Sequence, residues 1–236
     1  MIRVLRVLPD ELNVHGDAEN ALVLARRAEW SGVEASVVDA RDGEPLPGFR
    51  PDAVVVGSGT DPALVRHAAL LAPLADSLRG WAADGVPLLA VGTGFELLTD
   101  EIRTGAEVLA GIGIFPATVA PLPARATGDL VVRARSLVVG FENHARGVQL
   151  ADGAVPYGDV ASGVGNSGGI EGCLADGALG THLHGPLLAR NPDLADDLLS
   201  RMLGAAYDPG NPSARAADQL AATSRARTLT ALGIRS

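Results

Sequence analysis

Two short apolar runs, "DAVVVGSG" at 52–59 and "PLLAVGTG" at 87–94, each end in glycines and are separated by a stretch of helical composition. A run that is apolar on both faces belongs to a strand covered on both sides, the situation of a parallel sheet packed between helices. "IRVLRVL" (2–8), stopped by Pro9, and "EASVVDA" (34–40) add two more strands. Between them, residues 17–32 show helical spacing at Leu22, Ala25, Ala28 and Glu29, with Asp17 expected as N-cap and Gly32 as the stop. Residues 62–85 form a second helical stretch, expected to break near Pro73. This β-α-β-α order predicts a doubly wound α/β sheet whose ligands sit at the carboxyl ends of the strands.

From about residue 111 the pattern changes to shorter strands for which antiparallel pairing is expected. "GALGTHLHG" (177–185) reads as one more strand, residues 191–203 as a helix capped by Asn191 with Pro192 at its first position, and roughly 213–232 as a last amphipathic helix. The expected organisation is a domain over 1–205 with a helical extension, 206–236, packed on it.

Composition removes several classes of function. Hydrophobic residues make up 47% of the 236-residue chain and aromatics only 3%, so Leu, Val and Ala must fill the core. A net charge of −9 gives no basic footprint for nucleic acid. The arginines near the end (Arg215, Arg225, Arg227, Arg235) fit a solvated helix face. No apolar run approaches the ~18 residues of a membrane span, and the first residues lack a signal-peptide layout, so a cytoplasmic protein is expected. The single cysteine, Cys173, excludes a disulfide within the chain and reads as a small buried hydrophobe.

The most informative stretch is "LLAVGTGFELL" (88–98), a strand, a tight glycine turn and a helix. Such a nucleophile elbow presents a Ser or Cys at its tip. Here the tip is Gly92, which accepts the backbone but carries no chemistry. Local residues alone leave a second reading open, a plain glycine-rich β-α turn holding an anion at a helix N-terminus.

Further segments come in order along the chain: "GSGTD" (57–61), "GFENHARG" (140–147), "GVGNSGGIEG" (163–172) and "GTHLHGPLLARNPDLAD" (180–196). Together they resemble class I glutamine amidotransferases of the cobyric-acid-synthase type, and among these the glutaminase subunit (GatD) of lipid II isoglutaminyl synthase. The resemblance implies a flavodoxin-like fold, mostly parallel, with some antiparallel strands in the second half. It also implies glutamine hydrolysis by a cysteine and delivery of ammonia to a MurT-like Mur ligase. ATP and Mg belong to that ligase, so no cofactor is expected in this chain. The family's motif, like "A-[IV]-C-[GA]-G-[YF]-Q", falls on Ala90–Glu96, with Gly92 at the cysteine and Glu96 at the glutamine.

The other site residues follow from the same resemblance. His184 takes the base position. Arg125 stands where the family clamps the glutamine α-carboxylate, and Gly57, Ser58 and Gly59 where it forms an oxyanion loop. "TDPAL" replaces the usual "QDxxQ" after that loop. Thr93, next to the tip, is the one candidate for a substitute nucleophile. His182 takes a place that is commonly Tyr, and with His184 it lacks the further ligands of a metal site. Asn143 and His144 read as structural or interface groups. A thioester route needs a thiolate that Gly92 cannot supply. The expectation is therefore a degenerate subunit without glutaminase activity, against two alternatives: an active glutaminase with an atypical nucleophile, and a glutamine-binding sensor or scaffold.

Overall fold

The computed structural model describes residues 1–235. Its first sheet holds six strands. In chain order these begin with β1 (Ile2–Val7), β2 (Ala35–Ala40), β3 (Ala53–Val56) and β4 (Leu88–Val91). Helix α1 (Asn20–Trp30) connects the first two strands, and α2 (Leu64–Leu71) and α3 (Ala75–Ala83) lead from β3 to β4. The expected break at Pro73 is a single 3-10 turn, Ala72–Leu74.

The glycine turn then enters α4 (Thr93–Leu97). A second sheet follows, made of β5 (Thr99–Arg103), β6 (Val108–Ala110), β7 (Phe115–Arg133), β8 (Leu137–Leu150), β9 (Gly158–Ser162) and β10 (Ile170–Glu171). The chain returns to the first sheet with β11 (Cys173–Ala175) and β12 (Ala178–Thr181). It finishes with α5 (Leu187–Arg190), α6 (Pro192–Leu203) and α7 (Pro212–Ala231).

The first sheet runs β11-β12-β4-β3-β1-β2 and is parallel except for the β11 edge. Because strand side chains alternate, β3 and β4 split their apolar residues between two cores. Val54, Val56, Leu88 and Ala90 face α2, α3 and the second sheet, while Ala53, Val55, Leu89 and Val91 face α1, α5 and α6. The second sheet runs β10-β9-β7-β5-β6 with β8 paired to β7; among the described residues β5 and β7 pair parallel and the other pairs are antiparallel. The β7–β8 hairpin is far longer than the short strands expected, and its register shifts between Pro121 and Ala126, where two prolines interrupt the ladder.

Two expected helix caps are corrected. Asp17 lies inside a 3-10 turn (Asp17–Glu19) and makes no side-chain capping bond. Asn191 does stand at the start of α6, but its side chain is spent on the backbone N–H and C=O of Val139 (2.9 Å each) and on Leu187 O. It ties α6 to the hairpin. The strand expected over 177–185 stops at Thr181, and the His-Leu-His segment leaves the sheet.

Arg27, on α1, is buried with its guanidinium on Asp196 of α6 (2.6 Å) and Asp218 of α7 (2.7 Å). Tyr207 bonds the same Asp196. Leu229 of α7 packs on Val131 and Val139 of the hairpin. Removing one partner of a buried ion pair leaves charges without compensation. Arg27→Ala is therefore expected to cost about 2–4 kcal/mol, below the cost of a fully buried pair because both acids are partly exposed. Urea denaturation checks this, and a change under ~1 kcal/mol would show that the cluster is not what holds α7.

Candidate active site

Gly92 adopts φ 55° and ψ −122°, the strained backbone of an elbow tip, between β4 and α4. Its N–H donates to Thr181 O (2.8 Å) on β12, which fixes the turn against the neighbouring strand. A Cβ added at Gly92 would fall 2.5 Å from His184 Cε1 and 2.5 Å from Ser58 Oγ. The elbow is thus present, and the space above its tip is occupied by neighbours.

His184 is held by backbone and side chain together. Its N–H donates to Phe141 O (2.8 Å) on β8, and its Nδ1 lies 2.7 Å from Asp17 Oδ2. Asp17 is fully buried and its other oxygen accepts the Gly185 N–H (2.9 Å). A carboxylate on Nδ1 assigns the proton there and leaves Nε2 as the basic nitrogen. Among the described residues, Nε2 has no partner. This acid–imidazole pair explains why Asp17 is not a cap. It was missed in the sequence because an Asp at the start of a helix carries the same signature in both roles.

The 57–59 loop comes close to the opposite side of the tip. A Cβ at Gly57 would meet Leu12 O at 2.0 Å, so only glycine fits. Thr93 Oγ1 accepts the Gly59 N–H (2.8 Å), donates to Gly59 O (2.9 Å) and lies 2.9 Å from Ser58 Oγ. Its hydroxyl is consumed by the loop and makes no hydrogen bond to His184 Nε2. The Gly59 N–H is likewise committed, so in this arrangement it is not offered to an oxyanion.

A ladder of charges forms the wall. Buried Glu96 binds Arg146 (2.7 Å), Arg146 binds Asp61 (2.7 Å), and Asp61 also binds Arg125. Arg125 Nε donates to Asn143 Oδ1 (2.7 Å), and Asn143 reaches His15 (3.3 Å). Burial raises the pKa of Glu96, opposed by Arg146. Burial also works to raise Asp61, but the two arginines outweigh it and hold it below the usual range. Arg125, the expected carboxylate clamp, faces the cavity but already carries Asp61. Arg146, Asp61 and His15 were not singled out from sequence, since isolated charges in "ENHARG" and "GTD" carry no periodic signal.

Beside the ladder, His144 and His182 stack at 3.9 Å and 9°. His144 Nδ1 donates to Arg146 O (2.6 Å) and Nε2 to Glu142 (3.2 Å). Burial alone would lower its pKa, but these bonds raise it. His182 is fully buried with no partner on either ring nitrogen among the described residues, and burial, then the His144 and His184 charges, push it well down. The two histidines of "HLHG" therefore have separate surroundings. Among the described residues no group of His, Cys, Asp or Glu is placed to hold a metal ion. Cys173 lies in the core, its thiol pushed up to about 11 by burial and then by Asp100.

Together Ser58, Asp61, Gly92, Glu96, Arg125 and Arg146 line a cavity of about 410 Å³. A larger cavity of about 770 Å³ lies by α6 and β12, away from the elbow and from His184. The smaller one holds the elbow tip and is the candidate site; Asp17 and His184 do not line it but are buried behind the tip, with His184 Cε1 2.5 Å from the point a Cβ on Gly92 would take.

This architecture and geometry coincide with what the comparisons with known proteins give. Residues 3–192 match the CobB/CobQ-like glutamine amidotransferase domain, and the chain belongs to that family. It is 30% identical over 206 residues to the lipid II isoglutaminyl synthase (glutamine-hydrolyzing) subunit GatD of Staphylococcus aureus, covering 85% of this chain and 84% of that one. The Streptococcus pneumoniae subunit of the same name is 28% identical over 203 residues, covering 83% and 78%. Among solved structures, a glutamine amidotransferase superposes with a TM-score of 0.58 at 21% identity, covering 84% of this chain and 98% of that one, a likeness of fold. No described helix is long and apolar enough to cross a membrane.

Two outcomes follow from the buried charges. His182 has a folded pKa below its unfolded ~6.5, so the unfolded chain binds the extra proton and stability falls as pH drops through that value. His182→Phe is expected to lose less melting temperature than the parent between pH 7 and pH 5; parallel profiles would sink this. Arg146→Ala, which strands Glu96, is expected to cost about 3–5 kcal/mol, and Arg146→Met with Glu96→Gln clearly less. Chemical denaturation of these two variants beside the parent measures the difference.

Proposed function

We propose that this chain is a GatD-like amidotransferase subunit that pairs with a MurT-like Mur ligase in amidating the D-glutamate of lipid II, in the cytoplasm, and that it has lost glutaminase activity. The ligase carries the ATP and Mg of the activation step, and this chain needs no cofactor. The observation that carries the reading is Gly92 at the tip of an intact elbow, facing an intact Asp17–His184 pair.

Glutamine hydrolysis in this family runs through attack of a thiolate on the side-chain carboxamide. The carbon–nitrogen bond breaks, the imidazole hands its proton to the leaving ammonia, and water releases glutamate from the thioester. Asp17 sets the tautomer and His184 Nε2 stands ready for that proton. With hydrogen alone at position 92 no covalent bond to the substrate forms. Loss of the nucleophile removes most of a triad's rate, and what remains comes from binding and a poised base.

Thr93 does not restore the route, since its hydroxyl is bonded within the 57–59 loop. The charged wall speaks for a retained amino-acid pocket, in which Arg125 and Asp61 would bind the carboxylate and ammonium of glutamine. That observation favours a glutamine-sensing role as the second reading.

Co-expression with a Mur-ligase partner tests both. The complex is expected to amidate its acceptor with ammonium chloride and ATP, and to release no ammonia from glutamine above buffer. Glutamine-dependent ammonia release that disappears in His184→Ala would overturn the proposal. A rise in melting temperature with glutamine, without ammonia, would establish the sensor.

A further inference from the structure

Ser58 stands in a loop where the resemblance puts glycines, and its side chain has a definite place. Its Oγ lies 2.5 Å, and its Cβ 2.9 Å, from the point a Cβ on residue 92 would take. Non-bonded carbon atoms rest at about 3.5–4.0 Å. The two side chains therefore cannot share this backbone. Ser58 is also not free to swing aside. It is 4% exposed, its Oγ accepts the Thr93 N–H (3.2 Å) and it lies 2.9 Å from Thr93 Oγ1.

His184 closes the space from the other side. Its ring is tethered by Asp17 and packs against His15 (4.5 Å between centroids) and Phe141 (5.3 Å). Each neighbour that could make room is held by at least one contact of its own. Removing the hydroxymethyl group of Ser58 clears the loop side, and the His184 ring, 2.5 Å away on its Asp17 tether, then has only a side-chain shift to make.

We infer that Ser58 is the second half of the change at position 92: its hydroxymethyl group takes the volume that a side chain at the elbow tip needs, and the site excludes a thiol there as long as residue 58 keeps that group. This rests on the reading that the chain has lost its nucleophile. Ser58 is in this sense a positioning residue for the whole elbow. It holds Thr93 and the 57–59 loop in the closed arrangement, and that arrangement leaves no place for the reacting atom.

The test is a cycle in the full chain: Gly92→Cys, Ser58→Gly, and both together. Melting temperature, ammonia release from glutamine and iodoacetamide labelling of the introduced thiol are read for each, with buried Cys173 as the slow internal reference. Ser58→Gly is expected to lower the melting temperature of the parent and to raise that of Gly92→Cys. The introduced thiol is expected to label about tenfold faster, or more, in the double variant than in the single one, as access and contact with His184 return. Gly92→Ala in both backgrounds repeats the cycle with a smaller side chain should Gly92→Cys not fold.

Additive melting temperatures with equal labelling in the single and double variants would overturn the inference. Ammonia release by the unaltered chain strikes the preceding reading instead, and it is seen separately from the melting cycle.

Discussion

The contact on which the site depends is the one between Asp17 and His184. A carboxylate with no exposure to water accepts from the imidazole and from the Gly185 N–H, and so joins the first crossover of the parallel sheet to the segment leaving its β12 strand. The penalty of burying that charge is offset by charge-assisted bonds at short distance. Asn20 reinforces the same junction by accepting the Leu188 N–H (2.8 Å). The ends of the parallel strands thus form one closed rim, with the cavity opening at its edge. Such a junction keeps an imidazole poised even where no nucleophile stands opposite it.

Around this rim, polar groups are arranged in pairs that answer one another. Glu96 stands where the resemblance puts glutamine, and buried Arg146 lies against it. A buried carboxylate without that guanidinium would be costly, and so would the guanidinium alone. Ser58 and Thr93 are bonded to each other in the same way. The departures from the family pattern are therefore mutually accommodating and do not act as isolated defects. The exceptions at the rim are His184 Nε2 and the two ring nitrogens of His182, which have no partner among the described residues.

The parallel sheet was legible in the sequence because apolar β-branched runs ending in glycine admit few other structures, and β1 to β4 fall where those runs lie. The elbow was legible from "AVGTGFE" for the same reason. Asp17 and Asn191 were not, since an acid or amide ahead of a helix looks identical whether it caps that helix or reaches across the fold. The long hairpin was hidden by Pro121 and Pro123, residues of turn composition that flank or sit in the irregular stretch of one continuous strand, and by Gly128, which pairs with Glu142 in the regular ladder beyond it. The charge ladder joins residues far apart in the chain, Asp61 and Arg146 among them, and pairing of that kind is written only in three dimensions.

The bond from the His184 N–H to Phe141 O has a mechanical meaning. It crosses from the segment after β12 to the middle of the hairpin, so the imidazole is suspended between two separate sheets. Phe141 also lays its ring 5.3 Å from that of His184, and His15 bears on both. Together with the Asn191 side chain on Val139 and Arg146 on Glu96, this bond is one of the polar ties that fix the hairpin to the parallel-sheet half. The position of the imidazole is therefore set by both sheets at once, so a change in how the hairpin packs on the parallel sheet alters the geometry of the base.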